Sequence, residues 1–421
     1  MKRTIKLAVV AALALGATSA FATNGSTMIA VGAKSMGMGG TGIGVGHGAE
    51  SALANPALIT TIKGNNEVSF GGTVFMPDVE TTNSIGGPAT TAESKADFFV
   101  IPSVSLATKV NDNFYWGIGM WGTGGLGVDY RNTPLGAVGG NHMQMVTALQ
   151  TMQFGVPLAY TTNGFAIAVT PIVQYSSLDI NYANPMAGDA QVGAGAAQDI
   201  AVGYNIGLAY ETNGFTVGAV YKSEIKYDVD DVLSNTITPM TLDGLGNPTA
   251  STAVAQGLTE MATPAEYGIG VSYKMNEHTI AVDYKHIAWE DAEVYKDFGW
   301  EDQDVIAIGY EYATDGWALR VGYQYAEGAV QDNMGKGLAL DANYAPGGAS
   351  LTNTFNLLGF PGTQESHITL GGTYAFNEIL SMDLAAVYAL ENKETMTNFV
   401  GQDITTSHSE TSYSVQLNYA F

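Results

Sequence analysis

From about Glu67 to the last residue, large apolar positions alternate with small or polar ones at period two. Ile200, Val202, Tyr204, Ile206, Leu208 and Tyr210 fall on one face of an extended segment. Ala201, Gly203, Asn205, Gly207, Ala209 and Glu211 fall on the other. The stretches from Trp317, Ser366 and Thr411 repeat the pattern, and none of the four apolar faces carries a charge. A soluble sandwich turns its apolar face inward and a charged face to water. Here the second face is too rich in Gly, Ala and Ser for that role. An apolar face without Lys or Arg is what lipid demands, since either would cost roughly 2–4 kcal/mol at the bilayer midplane.

The alternation predicts strands near 67–77, 98–109, 114–122, 143–160, 165–181, 200–211, 215–228, 265–275, 279–289, 304–313, 317–327, 365–376, 380–390 and 410–421. Short connections such as Thr162-Asn163-Gly164, Thr212-Asn213-Gly214 and Thr314-Asp315-Gly316 suit tight hairpins, because Asn-Gly and Asp-Gly readily adopt positive φ. Long connections, the longest near 229–263 and 328–364, separate them. Short periplasmic turns and long extracellular loops alternate in this way in outer-membrane barrels. The expected fold is all-β: a 14-stranded antiparallel transmembrane β-barrel over 66–421.

Before the barrel, Lys2, Arg3 and Lys6, the apolar run Leu7 to Leu15 and Ala20-Phe21-Ala22 predict a signal peptide over 1–22. Residues 23–65 are Gly-rich and do not alternate. They predict a hatch that plugs a lumen too wide for side chains to fill.

Composition then removes competing functions. Charged residues make up only 13% of the chain, and 40 acidic against 16 basic residues give a net charge of −24, which repels nucleic acid. Removing the signal would take this to −27. There is no Cys, and the six His form no HxxxH or HExxH pair, so thiol chemistry and the common zinc motifs are excluded. No cofactor, metal site or enzymatic activity is expected.

The chain resembles the FadL family of outer-membrane transporters for long-chain fatty acids and hydrocarbons, including its toluene-transport members. Asn55-Pro56-Ala57-Leu58-Ile59, Tyr221-Lys222-Ser223-Glu224-Ile225-Lys226, Gly372-Thr373-Tyr374-Ala375-Phe376-Asn377 and the terminal Asn418-Tyr419-Ala420-Phe421 carry the resemblance. It implies a monomeric barrel that captures an apolar ligand in a groove between extracellular loops, passes it to an internal pocket and releases it sideways at a kink of the third strand. That kink corresponds to Gly122, Thr123, Gly124, Gly125 and Gly127, with Asn55, Pro56 and Ala57 of the hatch beside it as gating residues. Valine at Gly124 and Gly125 is expected to straighten and seal the opening. Outer-membrane lipids, lipopolysaccharide and, through Phe421, the barrel-assembly machinery are the expected partners besides the ligand. A general porin for polar solutes and a surface adhesin are the alternatives.

Other residues carry open readings. Met28, Met36 and Met38 line the ligand pocket from below or fill the hatch. Leu233, Ile237, Met240, Leu242 and Leu245 form an entrance groove or simply pack a long loop. Lys222, Glu224, Lys226 and Asp228 share the inward phase of the seventh strand and predict a lumenal ion-pair ladder. Glu290, Asp291, Glu293, Asp297, Glu301, Asp302 and Asp304 form a solvated acidic loop or bind divalent ions. Gly37-Met38-Gly39-Gly40-Thr41-Gly42 matches a dinucleotide fingerprint, but no strand precedes it, so close packing in the hatch is expected. By the resemblance, Lys296 and Tyr182 stand at head-group positions. Only the first is basic, which favours neutral or aromatic hydrocarbons over fatty acids.

Overall fold

The computed structural model describes residues 23–85, 88–131, 133, 143–184, 190–243, 246–344 and 348–421. The expected signal peptide and Leu245 lie outside them. Fourteen antiparallel strands close into a barrel. They are β1 (Asn66–Asn83), β2 (Phe99–Lys109), β3 (Phe114–Asp129), β4 in two pieces (Val146–Gly155 and Leu158–Thr162), β5 (Phe165–Asn184), β6 (Ala197–Thr212) and β7 (Phe215–Lys222). The second half comprises β8 (Glu266–Met275), β9 (His278–Ile287), β10 (Gln303–Ala313), β11 (Trp317–Tyr325), β12 (Ser366–Ala375), β13 (Leu380–Thr397) and β14 (Asp403–Ala420). β14 pairs with β1 from Ala420↔Glu67 to Ile404↔Asn83 and completes the ring.

The alternation reads directly onto the two faces. Leu319, Leu370 and Tyr413 are exposed on the outside, while Gln324, His367, Thr369 and Ser412 are buried in the lumen. Tight turns sit where expected: Asn163 and Gly164 adopt φ 51° and 80°, and Asn213 and Gly214 adopt 50° and 81°.

Five strand ends differ from the pattern. β1, β13 and β14 run well past their predicted outer ends, where the outward face turns polar at residues such as Glu80, Lys393 and Ser407 while inward Val79, Met396 and Ile404 stay apolar. Apolar alternation marks only the lipid-facing part of a strand, so it falls silent above the bilayer. β3 stays extended to Asp129, seven residues beyond the predicted end. β7 stops at Lys222 rather than 228, because Ser223 and Glu224 leave the ladder and Ile225–Asp228 pairs instead with Glu260–Thr263. That break divides the expected ion-pair ladder. Lys222 stays in the lumen, 2.9 Å from Glu266, whereas Lys226 reaches Glu293 at 2.8 Å among the outer loops.

Residues from Thr23 to Thr61 fold against the inner wall as short helical turns and a two-residue hairpin. Above them the long loops build an apolar dome around Trp289, Tyr295, Trp300 and the Leu351–Gly359 helix.

Candidate functional site

The hatch is held by buried polar contacts spread around the barrel wall. Asp283 of β9 accepts from the backbone N–H groups of Gly42 and Ile43 at 2.7 Å each and of Gly44 at 3.1 Å. Gln416 of β14 accepts from Ala33 N–H, Thr369 of β12 from Gly39 N–H, and Asn55 donates to the Ile43 and Leu208 carbonyls. Gly44 lies so close to the wall that a Cβ there would sit 2.4 Å from the Gly270 backbone. The glycines of the fingerprint-like stretch thus serve close approach to strands.

Lys34, on the hatch, lies 3.4 Å from Glu50 and 3.6 Å from Asp383 of β13, which Arg320 of β11 also approaches. Burial opposes the charge on Lys34, but Asp383 and Glu50 outweigh it and hold the ammonium well above its ordinary value. Burial lowers His47 to about 4, so it is neutral at pH 7, with Nε2 against the Thr41 carbonyl at 2.9 Å. Burial pushes the Glu50 carboxyl up from 4.5 to about 7. A folded-state value above the free one means that the docked hatch holds a proton the released hatch gives up. On this account alone docking weakens as pH rises from 4.5 through 7. His47 acts the other way: its docked value lies below the free 6.5, so docking weakens as pH falls through 6.5 towards 4. The two groups therefore oppose each other between pH 5 and 8. Ion conductance in planar bilayers is expected to be higher at pH 8 than at pH 5 for His47→Gln, which leaves Glu50, and higher at pH 5 than at pH 8 for Glu50→Gln, which leaves His47. Conductance independent of pH in both variants would contradict these roles.

Between β2 and β3 the wall itself is incomplete. β3 pairs with β2 only from Tyr115 to Trp121. Its pairing with β4 shifts register between Gly122 and Gly124 and then runs on to Asp129. Among the described residues, Gly122 to Val128 have no β2 partner, while Lys95 N–H donates to the Asp129 carbonyl above. The result is a window between β2 and β3. The hatch hairpin Thr23–Met28 occupies it: Thr27 pairs with Gly124, and Gly125 N–H donates to the Ser26 carbonyl at 2.9 Å. Asn55 and Pro56 lie instead against Gly207 of β6, and Ala57 shares an apolar cluster with Trp121 at the foot of the break. Nothing in the sequence marks Ser26 and Thr27, because the contact is made by backbone.

Two chambers lie along the lumen. The upper, of ≈ 400 Å³ out to its mouth, is lined by Leu178, Ile180, Leu233, Ile237, Met261, Val294, Tyr295, Phe298, Trp300, Phe355, Asn356 and Phe360, with no charged side chain. The lower, of ≈ 840 Å³ out to its mouth, lies on the hatch residues Thr27 to Val31 and reaches Thr123 at the window. Its polar side holds Asn205, Lys222, Glu266 and Lys285. Met261 and Thr263 of one short strand face the upper and lower chambers respectively. Tyr295 spans the partition: it lines the upper chamber and its hydroxyl lies 2.9 Å from Ser26 Oγ, while its ring packs 4.6 Å from both Trp289 and Trp300.

Of the residues singled out in the sequence, Leu233 and Ile237 line the upper chamber and Met28 the lower. Met36 and Met38 do not face either chamber. The Met36 sulfur accepts from Thr73 and Ser414 of the wall, and Met38 packs with Val45 and Ala281. Met240 is buried in its loop, where its carbonyl accepts from the Tyr344 hydroxyl, and half-buried Leu242 lines neither chamber. Lys296 is paired with Glu293 at 2.6 Å among the loops, and Tyr182 donates to the Thr236 carbonyl at 2.6 Å. In the acidic loop, Glu293 and Glu301 pair with lysines, and Asp302 and Asp304 with His286. Asp283 and the Trp289–Tyr295–Trp300 trio escaped the sequence reading. A carboxylate on an inward strand position was the available sign of the former; the trio joins only in three dimensions.

A profile described as outer membrane protein transport protein (OMPP1/FadL/TodX) matches residues 9–336. A long-chain fatty acid transport protein of Escherichia coli O6:H1 is 24% identical over 441 residues, covering 90% of this chain and 92% of that protein. Among solved structures, the Pseudomonas putida toluene transporter TodX is similar with a TM-score of 0.66 and 18% identity, covering 93% of this chain and 99% of that one. A Pseudomonas aeruginosa FadL homologue is similar with a TM-score of 0.68 and 14% identity, covering 94% and 100%.

Proposed function

The chain belongs to the OMPP1/FadL/TodX family of outer-membrane transport proteins, and on that footing we propose that it carries small neutral, preferably aromatic, hydrocarbons passively through the outer membrane. The ligand enters the upper chamber among the extracellular loops, passes the Tyr295 partition to the lower chamber and leaves sideways between β2 and β3. The observation that carries this reading is the window at Gly122–Val128 with Ser26 and Thr27 in the place of the missing strand partner. A ligand resting on the Thr27–Val31 strap needs only that hairpin displaced to reach lipid.

The upper chamber supports the substrate class. Five aromatic rings and no charge favour an apolar body without a head group. The toluene transporter and the fatty acid transport protein among its relatives bracket this choice. Phe421 is outward-facing and stacked 5.0 Å from Tyr419, which supports a role in recognition by the assembly machinery. Filling the chamber tests the route. Ile237→Trp is expected to lower toluene binding at least tenfold and uptake in parallel, while the barrel remains folded. Unchanged binding, measured by calorimetry on purified protein, would place capture elsewhere.

A further inference from the structure

β7 is the shortest barrel strand, eight residues, and a tilted strand needs roughly 9–11 to cross the hydrocarbon. The chain therefore leaves the wall at Ser223 within the apolar thickness of the outer leaflet. β6 does not stop there. It pairs with β7 only from Asn205 to Thr212, and among the described residues Ala197 to Tyr204 keep β5 as their sheet neighbour. The missing neighbour shows in exposure: Ile200 and Val202 are 68% and 75% exposed, against 38% for Ile206 and Leu208 on the same face where β7 lies alongside.

The seam is stitched by scattered contacts instead of a ladder. Ser223 N–H donates to the Tyr204 carbonyl at 2.9 Å, Tyr204 N–H to Ser223 Oγ at 3.0 Å, and Asp228 N–H to Asp199 Oδ2 at 2.9 Å. Behind it, Asn205, Lys222, Ser223 and Ile225 line the lower chamber, and the Asn205 side-chain nitrogen is buried without a partner.

We propose that this β6–β7 seam is a second lateral port, through which apolar molecules dissolved in the outer leaflet reach the lower chamber without passing the loop pocket. It rests on the reading of that chamber as part of the transport route. Ile225 and Ser223 are its movable leaf, since they belong to the inward-turned segment. Ile200 and Val202 offer an apolar approach from lipid, and a row of outward rings, Tyr204, Tyr221, Tyr267 and His286, lies beside them with neighbours 5.0 to 6.4 Å apart.

The chain has no cysteine, so an introduced pair has no competing thiol. A Cβ at position 203 would lie 2.8 Å from Ser223 Oγ, close to the Cβ-to-sulfur separation of about 3 Å that follows from disulfide geometry. It would also press on Ile225, so Gly203→Cys and Ser223→Cys are made together with Ile225→Ala. Ile237→Trp is added to close the loop pocket. The probe is N-phenyl-1-naphthylamine already partitioned into liposomes carrying the protein, and the readout is the rate at which protein-bound dye fluorescence develops. With the pair reduced, the dye is expected to load; oxidation should slow loading at least tenfold, and reductant should restore it. An equal rate in both states means that dye enters elsewhere, the β3 window included, and overturns the port. So does failure to load with the pair reduced while wild type loads. If wild type itself takes up no dye, the transport reading fails first and the port falls with it.

Discussion

Asp283→Ala is expected to turn a plugged barrel into a conducting one. The carboxylate receives three consecutive hatch N–H groups, all buried, from Gly42, Ile43 and Gly44. Removing it strands three donors in a buried site. Unsatisfied buried donors cost about 1–3 kcal/mol each, so hatch docking loses on the order of 3–9 kcal/mol. The barrel loses nothing comparable, because β9 keeps its ladders to β8 and β10. A 14-stranded ring without its plug leaves an aqueous lumen. Single-protein conductance in planar bilayers should rise at least tenfold, and Asp283→Asn, which keeps one acceptor oxygen, should fall between. Wild-type conductance from a folded Asp283→Ala barrel would show that the hatch does not depend on this contact.

The barrel was legible in the sequence because lipid imposes a rule on every outward position. Leu319, Val321 and Tyr323 could not be exchanged for charges, so their period of two survives in the chain and counts strands. Where lipid ends, the rule ends too, and the outer parts of β13 and β14 went unseen. The β7 break was hidden for a related reason. Ser223 and Glu224 continue the alternation on paper, and only the pairing of Ile225–Asp228 with Glu260–Thr263 shows that the chain has turned inward. The chambers were legible in part. Leu233 and Ile237 stand out as apolar residues in a long loop, but Phe298, Trp300 and Phe355 come from different loops and meet only when folded. Contacts made by backbone, such as Ser26 with Gly125, leave no residue type to read.

That last contact reverses the effect expected of valine at the glycine-rich break. A Cβ at Gly124 would sit 2.6 Å from the Ser26 carbonyl oxygen and 2.8 Å from Thr151 Oγ1. Thr151 belongs to a β4 stretch laddered to β3 on one side and β5 on the other, so its backbone stays and only its hydroxyl can turn aside, which leaves the Ser26 carbonyl to move. Ser26 belongs to a two-residue hairpin held at the window by one bridge and one backbone hydrogen bond, with the Ser26 Oγ contact to the Tyr295 hydroxyl as its further hold. The hairpin therefore yields, and Gly124→Val props the window open instead of sealing it. Other anchors keep the rest of the hatch docked: Asp283, Gln416 and Thr369 are untouched. Gly124→Val should raise hydrogen exchange at residues 23–28 by at least an order of magnitude, leave exchange at Gly42–Gly44 unchanged, and speed toluene uptake severalfold while weakening ligand retention. Blocked uptake with unaltered exchange at the hairpin would mean that valine seals the break after all, and that ligand leaves where Gly124 stands rather than where Ser26 gives way.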